Sequence, residues 1–346
     1  MVIVMAAGAR AADVQAVVDV VESAGGGAFV SRGVSRTIIG LVGDVDRFAR
    51  LNLETMPGVR DVQRISSKYK LVSREHHDGR SVVTVGGVPI GPGTVTLFAG
   101  PCAVESREQT LAACRMARDA GATILRGGAF KPRTSPYAFQ GLGEPALEIL
   151  ADVRAETGLP FVTEVVSPAD VPVVARYADM LQIGTRNMQN FALLQAVGAT
   201  GLPVLLKRGM SATVEEWLMA AEYIAQQGNL AVVLCERGIR TFETATRNTL
   251  DISAVLVAQQ LSHLPVIVDP SHSAGHREMV LPLARASLAA GADGVIVDVH
   301  PRPAEALCDG PQALVHADLR ELRTAMTSLA ALTDRTLAAP LVAARP

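Results

Sequence analysis

Three fixed positive charges, Arg126, Lys131 and Arg133, fall in one short stretch, residues 125–143, LRGGAFKPRTSPYAFQGLG, with the Thr134 and Ser135 hydroxyls beside them. The stretch follows the apolar run GATIL. Guanidinium forks, an ammonium and hydroxyl donors in one loop suit phosphate or carboxylate groups. Gly127 and Gly128 are expected to let backbone N–H groups approach the same anion. A solvated basic loop would have the same composition, so the weight comes from where the rest of the chain puts its polar residues.

Those positions are regular. From Thr94 onward short apolar runs recur: TVTLFAG, GATILRG, LPFVTEV, ADMLQIG, LPVLLKRG, LAVVLCERG, LPVIVDPSH and DGVIVDVH. Between most of them lies a segment long enough for a helix, at 106–119, 144–157, 190–197, 213–227, 246–261 and 277–290. Eight strand–helix units predict an α/β fold, a (β/α)8 TIM barrel. The polar residues at the run ends are, in order, Cys102, Arg126, Glu164, Arg186, Lys207, Arg237, His272 and Asp298. In such a barrel the C-terminal strand ends share one mouth, so these scattered residues are expected to face each other.

Two chemistries follow. Arg126, Lys131, Arg186, Lys207 and Arg237, with Arg133 beside them, would repel one another in a shared mouth unless anions offset them, which implies substrates with several negative charges. Rim ion pairs account for one or two of them at most. Cys102, His272, Asp298 and Asp309 combine a thiolate, an imidazole and two carboxylates, a donor set for a divalent first-row metal. His272 and His276 imitate an HxxxH pair but lie in a Ser/Gly loop, where that spacing carries little weight. Cys114 is expected in helix packing and Cys235 in strand core, while Cys308 adjoins Asp309.

Composition excludes several function classes. The 346 residues suit a barrel-sized domain plus a smaller one, and 49% hydrophobic residues supply a large core. With 32 Lys and Arg against 34 Asp and Glu, net charge −2, there is no electrostatic footprint for nucleic acid. No uncharged apolar run reaches ~18 residues, so no membrane partner is expected. Four cysteines without paired spacing point to a reducing, cytoplasmic setting. The opening MVIVMAAGARAAD lacks a basic n-region and reads as a strand rather than a signal peptide.

Residues 1–68 form a separate small unit. MVIVMA predicts a strand, and Val14, Val17, Val18 and Val21 share a helix face that the glycines at 25–27 end. AFVSRG and RTIIGLVG predict two strands, Asp44 caps a helix over 45–56 closed by Pro57 and Gly58, and VRDVQRI predicts a last strand. The order βαββαβ suggests a ferredoxin-like fold. Residues 69–93 join it to the barrel at 94–346, with SVVTVGGVPIGPG as a hairpin.

On these motifs the chain resembles 3-deoxy-D-arabino-heptulosonate 7-phosphate (DAHP) synthase, in the type I beta subclass with an N-terminal ferredoxin-like regulatory domain. The resemblance rests on AGPCAVES (99–106), LRGGAFKPRTSPYAFQGLG (125–143), TEV (163–165), IGTRNMQNF (183–191), LLKRGM (205–210), CERGIRTFETATRNTLD (235–251), DPSHSAGHR (269–277) and VDVHP (297–301). KPRTS separates it from the sister family that makes 3-deoxy-D-manno-octulosonate 8-phosphate.

The resemblance implies condensation of phosphoenolpyruvate (PEP) with erythrose 4-phosphate and release of phosphate, the first step of the shikimate pathway to aromatic amino acids. It implies that Arg126, Lys131, Arg186, Lys207 and Arg237 hold PEP, and that Arg133, Thr134 and Ser135 hold the aldose phosphate. Cys102, His272 and Asp309 would be metal ligands, for Mn2+ first, with Fe2+, Co2+ or Zn2+ as alternatives. Lys131 would act as general acid or electrostatically, and Glu164 would position water or relay a proton. An aromatic amino acid effector at the N-terminal unit, and a homo-oligomer, dimer or tetramer, are expected.

One departure concerns Asp298, where the family usually has glutamate. Aspartate is one methylene shorter, so an altered metal preference or affinity is expected with activity retained; unchanged metal affinity and turnover in Asp298→Glu would remove that expectation. Cys308 beside a ligand suggests a disulfide with Cys102 that would expel the metal. The alternatives are the sister condensation with arabinose 5-phosphate, which KPRTS argues against, a regulatory or scaffolding homologue with weak catalysis, and a secondary-metabolism variant using a modified aldose. An N-terminal unit that serves only oligomerisation is the alternative to a sensor.

Overall fold

The computed structural model describes residues 1–33, 37–63 and 68–339, and the chain divides into two compact units, Met1–Asp78 and Gly79–Pro346. In the first, strand β1 (Val2–Met5) leads to helix α1 (Ala11–Ser23), then β2 (Gly27–Arg32), β3 (Thr37–Val42), the single turn α2 (Val45–Phe48) and β4 (Val59–Gln63). The sheet order β2-β3-β1-β4 with antiparallel pairing is the ferredoxin-like arrangement. The valine stripe Val14, Val17, Val18 and Val21 packs on Ile3, Met5, Ile39 and Leu41. Arg64 and Ile65 of the expected last strand, and Arg36 of the third, lie outside the described residues.

The helix expected over 45–56 is much shorter. Asp44 does cap it, accepting from Arg47 N at 3.3 Å. The α-helix nevertheless stops at Phe48, and Asn52 takes a left-handed φ of 48° before a short 3-10 turn at Leu53–Thr55. Asparagine tolerates that region, so the segment bends where an ideal helix would continue.

In the second unit a hairpin, β5 (Val83–Val85) and β6 (Val88–Ile90), precedes the barrel. Its turn, Gly86–Gly87, has φ of 53° and 83°, the conformation that two-residue hairpins demand. The barrel strands are β7 (Thr94–Gly100), β8 (Ile124–Arg126), β9 (Phe161–Val165), β10 (Met180–Ile183), β11 (Val204–Lys207), β12 (Val232–Glu236), β13 (Val266–Val268) and β14 (Gly294–Asp298). All pair in parallel in sequence order, and β14 returns to β7 to close the cylinder. A short β15 (Thr336–Leu337) adds to the start of β7.

The outer helices are α3 (Arg107–Asp119), α4 (Glu144–Thr157), α5 (Val171–Tyr177), α6 (Phe191–Gly198), α7 (Val214–Ala225), α8 (Ile252–Leu261), the single turn α9 (Pro270–Ala274), α10 (Arg277–Ala289) and α11 (His316–Leu332). The helix expected over 246–261 starts only at Ile252, where Asp251 caps it through Ala254 N at 3.0 Å. Upstream, Ile239 and Thr249 bridge each other, and Arg247 N and Asn248 N donate to the Ala274 and Ser273 carbonyls, so those backbone groups are spent in a loop over the mouth. No described helix is long and apolar enough to cross a membrane.

The barrel interior is apolar at one end and charged at the other. Val83, Val85, Val88 and Ile90 of the hairpin join Phe98, Ile124, Val162, Met180, Leu205, Val233, Ile267 and Ile296 in one core. A Cβ on Gly86 would lie 2.7 Å from Pro160, just before β9, and Ser81 N donates to His263 O, just before β13. The hairpin therefore plugs the N-terminal end. Cys235 sits in this core and Cys114 is buried in α3. Their burial holds both thiols high, Cys114 at about 12.

Candidate active site and metal centre

The C-terminal end opens into a polar cleft. Seven cations line it, Arg126, Lys131, Arg133, Arg186, Lys207, Arg237 and Arg247, against the carboxylates of Glu164 and Asp309, with His272, Cys308 and Gln182 completing the polar wall. Among the expected residues, Cys102 and Asp298 stand in the wall behind this lining. Thr134 accepts a hydrogen bond from Arg186 Nη2 at 3.1 Å, tying the KPRTS loop to the β10 end. Ser135 lies outside the lining and is exposed, its Oγ accepting from Tyr137 N.

The strand ends fix the cations. Arg126, the last residue of β8, is buried, donates to Pro101 O at 2.8 Å, and lies 2.7 Å from Asp298 Oδ1 at the end of β14. Burial opposes its charge, but Asp298, Cys102 and Asp269 outweigh burial and hold the guanidinium above its ordinary range. Lys131 Nζ donates to Cys102 O at 3.0 Å and to Cys102 Sγ at 3.1 Å. Burial opposes its charge too; Cys102, Cys308 and Glu164 more than compensate.

Gly127 and Gly128 act differently from expectation. The Gly127 N–H is spent on Val162 O at 3.2 Å, and a Cβ on Gly128 would meet Cys102 O at 2.6 Å and Lys131 Cδ at 2.7 Å. Gly128 lets Lys131 lie across the Cys102 backbone, whereas Gly127 makes room for Leu150 and has no N–H left for an anion.

Glu164 lies under Gly184, where a Cβ would come within 1.9 Å of its Oε1. Its Oε2 accepts from Gln182 Nε2 at 3.0 Å. Oε1 of Glu164, Nε of Arg126 and Nη1 of Arg237 are buried without a hydrogen-bond partner among the described residues. Two donors and an acceptor left open at one cleft are positions for a polar ligand.

On the opposite wall one ligand atom each from Cys102, His272, Asp298 and Asp309 falls within 4.8 Å of all the others. Asp269 aligns this cluster. Its Oδ1 caps α9 through His272 N at 2.9 Å, and its Oδ2 meets Lys207 Nζ at 2.5 Å and His272 Nδ1 at 2.8 Å. Nδ1 faces that carboxylate at ion-pair distance without hydrogen-bond geometry, and Nε2 faces Cys102, Asp298 and Asp309 at 3.8, 3.6 and 3.7 Å. A carboxylate behind an imidazole that points into thiol and carboxylate donors is the pattern of a metal-ligating histidine, so the residues present fit a divalent ion. Burial opposes protonation of His272, yet Asp269 and Asp298 raise it to about 9, and Asp269 itself is held well below the carboxylate range despite burial. Asp309, at φ 53°, occupies the left-handed region, and Arg247 Nη1 donates to its Oδ1 at 3.0 Å. His276 is the residue before α10 and stands outside the donor cluster.

Three residues of this site carried no assigned role in the sequence: Asp269, Arg247 and Gln312. Gln312 donates to Asp298 Oδ2 at 2.5 Å and lies within 3.3 Å of Arg247. Asp269 could have been found as the acid that follows the β13 apolar run; Arg247 and Gln312 have no comparable signal. Cys308 faces Cys102, Sγ to Sγ 3.7 Å. The Cys102 hydrogen bond draws Cys308 below the ordinary thiol range, and the same bond and burial push Cys102 up.

A closed parallel barrel with a cation-rich mouth and a thiol, imidazole and carboxylate cluster defines an enzyme built for small anionic substrates. The family model for the DAHP synthetase I family matches residues 65–335, and that for the DAHP synthase ferredoxin-like domain matches residues 1–67. A phospho-2-dehydro-3-deoxyheptonate aldolase from Thermotoga maritima is 50% identical over 331 residues, 95% of this chain and 98% of that one. The crystal structure of a Thermotoga maritima protein of that name (DAHP synthase) matches with TM-score 0.77 and 48% identity, covering 97% of this chain and 98% of the other. A 2-dehydro-3-deoxyphosphooctonate aldolase from Acidithiobacillus ferrooxidans is more distant, 34% identical over 63% of this chain and 83% of its own. The chain belongs to the DAHP synthetase I family and is an enzyme of the DAHP synthase type.

Proposed function

We propose that the chain condenses PEP with erythrose 4-phosphate in a metal-assisted reaction that yields DAHP and inorganic phosphate. The observation that carries this reading is the meeting, in one cleft, of seven cations and the Cys102, His272, Asp298 and Asp309 donors. Arg126, Lys207, Arg237 and Arg186 hold the PEP phosphate and carboxylate. Arg133, with the hydroxyls of Thr134 and Ser135, holds the aldose phosphate, and together these cations neutralise two anions that would otherwise repel. Cys102, His272, Asp298 and Asp309 would hold the metal ion, which when bound supplies Lewis-acid polarisation of the aldehyde.

As C3 of PEP attacks the aldehyde carbon, Lys131 donates a proton to the developing alkoxide. Positive charge appears at C2 of PEP, and Glu164, with its open Oε1 and Gln182 behind it, positions the water that adds there. The resulting hemiketal phosphate loses phosphate while Arg126 and Arg237 hold the leaving group. Mn2+ is the first choice of ion, with Fe2+, Co2+ or Zn2+ as alternatives. The ferredoxin-like unit senses an aromatic amino acid and inhibits the barrel, in a cytoplasmic homo-oligomer whose four cysteines are all free thiols.

The test follows PEP consumption with erythrose 4-phosphate and, separately, arabinose 5-phosphate. Turnover with the four-carbon sugar alone is expected. Turnover with only the five-carbon sugar would move the chain to the octulosonate condensation of its more distant relatives.

A further inference from the structure

Glu105 and His300 stand outside the cleft lining, yet they tie together the segments that carry Cys102, Asp298 and Asp309. Glu105 follows Cys102 by three residues and comes immediately before Ser106, the cap of α3, whose Oγ accepts from Gln109 N at 3.1 Å. Its mostly buried carboxylate accepts one hydrogen bond on each oxygen, from His300 Nε2 at 3.3 Å and from Leu307 N at 2.9 Å. His300 Nδ1 accepts from Arg302 N at 3.0 Å, so the ring hydrogen sits on Nε2 and is donated to Glu105.

The sequence positions of these partners matter. His300 is two residues past Asp298, and Leu307 is two residues before Asp309. One carboxylate therefore holds both ends of the 300–307 loop and sets it against the Cys102 segment. The loop needs such a hold. Its regular pieces are short 3-10 turns at Pro303–Glu305 and Gly310–Gln312, and Leu307 is 55% exposed. Asp309 keeps a left-handed φ of 53°, which a non-glycine residue retains where its surroundings fix it.

We propose that Glu105 and His300 are positioning residues for the metal centre: they latch the loop that brings Asp309 to Cys102, His272 and Asp298, and so slow release of the ion. This rests on the reading of the cleft wall as a metal centre. A carboxylate suits the latch because two donors face it. Glutamine has one acceptor oxygen and would turn an amide N–H toward one of them.

The test challenges full-length, Co2+-loaded protein with excess chelator and follows amide hydrogen exchange in the metal-free form. Glu105→Gln should release Co2+ about tenfold faster, the lower end of what losing an outer hydrogen bond costs a metal site. The visible Co2+ spectrum should stay unchanged, because the ligands are unchanged. Exchange should quicken in residues 300–314 and keep wild-type rates in the barrel strands, a pattern that general destabilisation does not give. His300→Asn can still accept from Arg302 N but is too short to reach Glu105, and should behave alike. His300→Gln, whose amide can donate in place of Nε2, should restore slow release. In the wild type, which needs no variant, the Leu307 N–H should be protected although its side chain is exposed. Wild-type release and exchange in Glu105→Gln and His300→Asn, faster exchange spread evenly over the barrel, or an unprotected Leu307 N–H would overturn the latch and leave the metal centre standing. Failure of the wild type to take up Co2+ at all would overturn the metal-centre reading, and the inference with it.

Discussion

Asp269 serves two masters: its Oδ2 lies against both Lys207 and His272, the one proposed to hold PEP and the other proposed to ligate the metal. Asp269→Asn keeps the shape and removes the charge, so it should weaken metal affinity by 10–100-fold, the usual cost of losing a carboxylate behind a ligating histidine. Because Lys207 loses its partner as well, KM for PEP should change in the same variant. Calorimetric titration of metal and of PEP checks both, and unchanged metal affinity would mean that His272 is oriented by something else. Cys102 and Cys308 are close enough to couple when no ion separates them. Mild peroxide on the metal-free protein should join their sulfurs: the two thiols give up two electrons and two protons, and peroxide becomes two waters. The expected signs are loss of two titratable thiols and of metal uptake, both reversed by a reductant. Full metal uptake with all thiols still titratable would count against it.

At the scale of elements, the barrel separates stability from chemistry along its axis. The β5–β6 hairpin packs Val83, Val85, Val88 and Ile90 into the N-terminal end, while the charged residues occupy the other. Ile90→Ala should therefore cost about 2–5 kcal/mol by denaturant unfolding, the range for truncating a fully buried aliphatic side chain, with kcat and KM close to wild type under native conditions. A loss of turnover without loss of stability would contradict that division. The barrel strands were legible because parallel strands buried on both faces read as unbroken apolar runs, as in TVTLFAG and LPVLLKRG. The helices at 45–56 and 246–261 were legible only in part. Asn52 turns left-handed in the first, and in the second the residues before Asp251 spend their backbone groups on Ile239, Ser273 and Ala274, contacts that no local pattern announces.

For the molecule as a whole, the proposed function assigns the two units separable tasks. Deleting residues 1–68 should abolish inhibition by an aromatic amino acid while sparing turnover, read as initial rates with and without each amino acid. Loss of both would make the unit structural. The site was legible to the extent that strand order alone brings residues together. Arg126, Glu164, Lys207 and Arg237 converge because parallel strands end at one mouth. Asp269, Arg247 and Gln312 act through contacts between distant loops, such as Arg247 with Asp309 and Gln312 with Asp298, which depend on how loops fold over the mouth and leave no spacing in the sequence. If the cation-lined cleft and its donor cluster form one metal-assisted synthase centre, turnover must follow the ion. DAHP formation from PEP and erythrose 4-phosphate in metal-stripped protein, followed as a divalent ion is titrated back, should start negligible and recover fully at one equivalent per chain. Full turnover in the stripped protein, or no DAHP with any divalent ion, would contradict it.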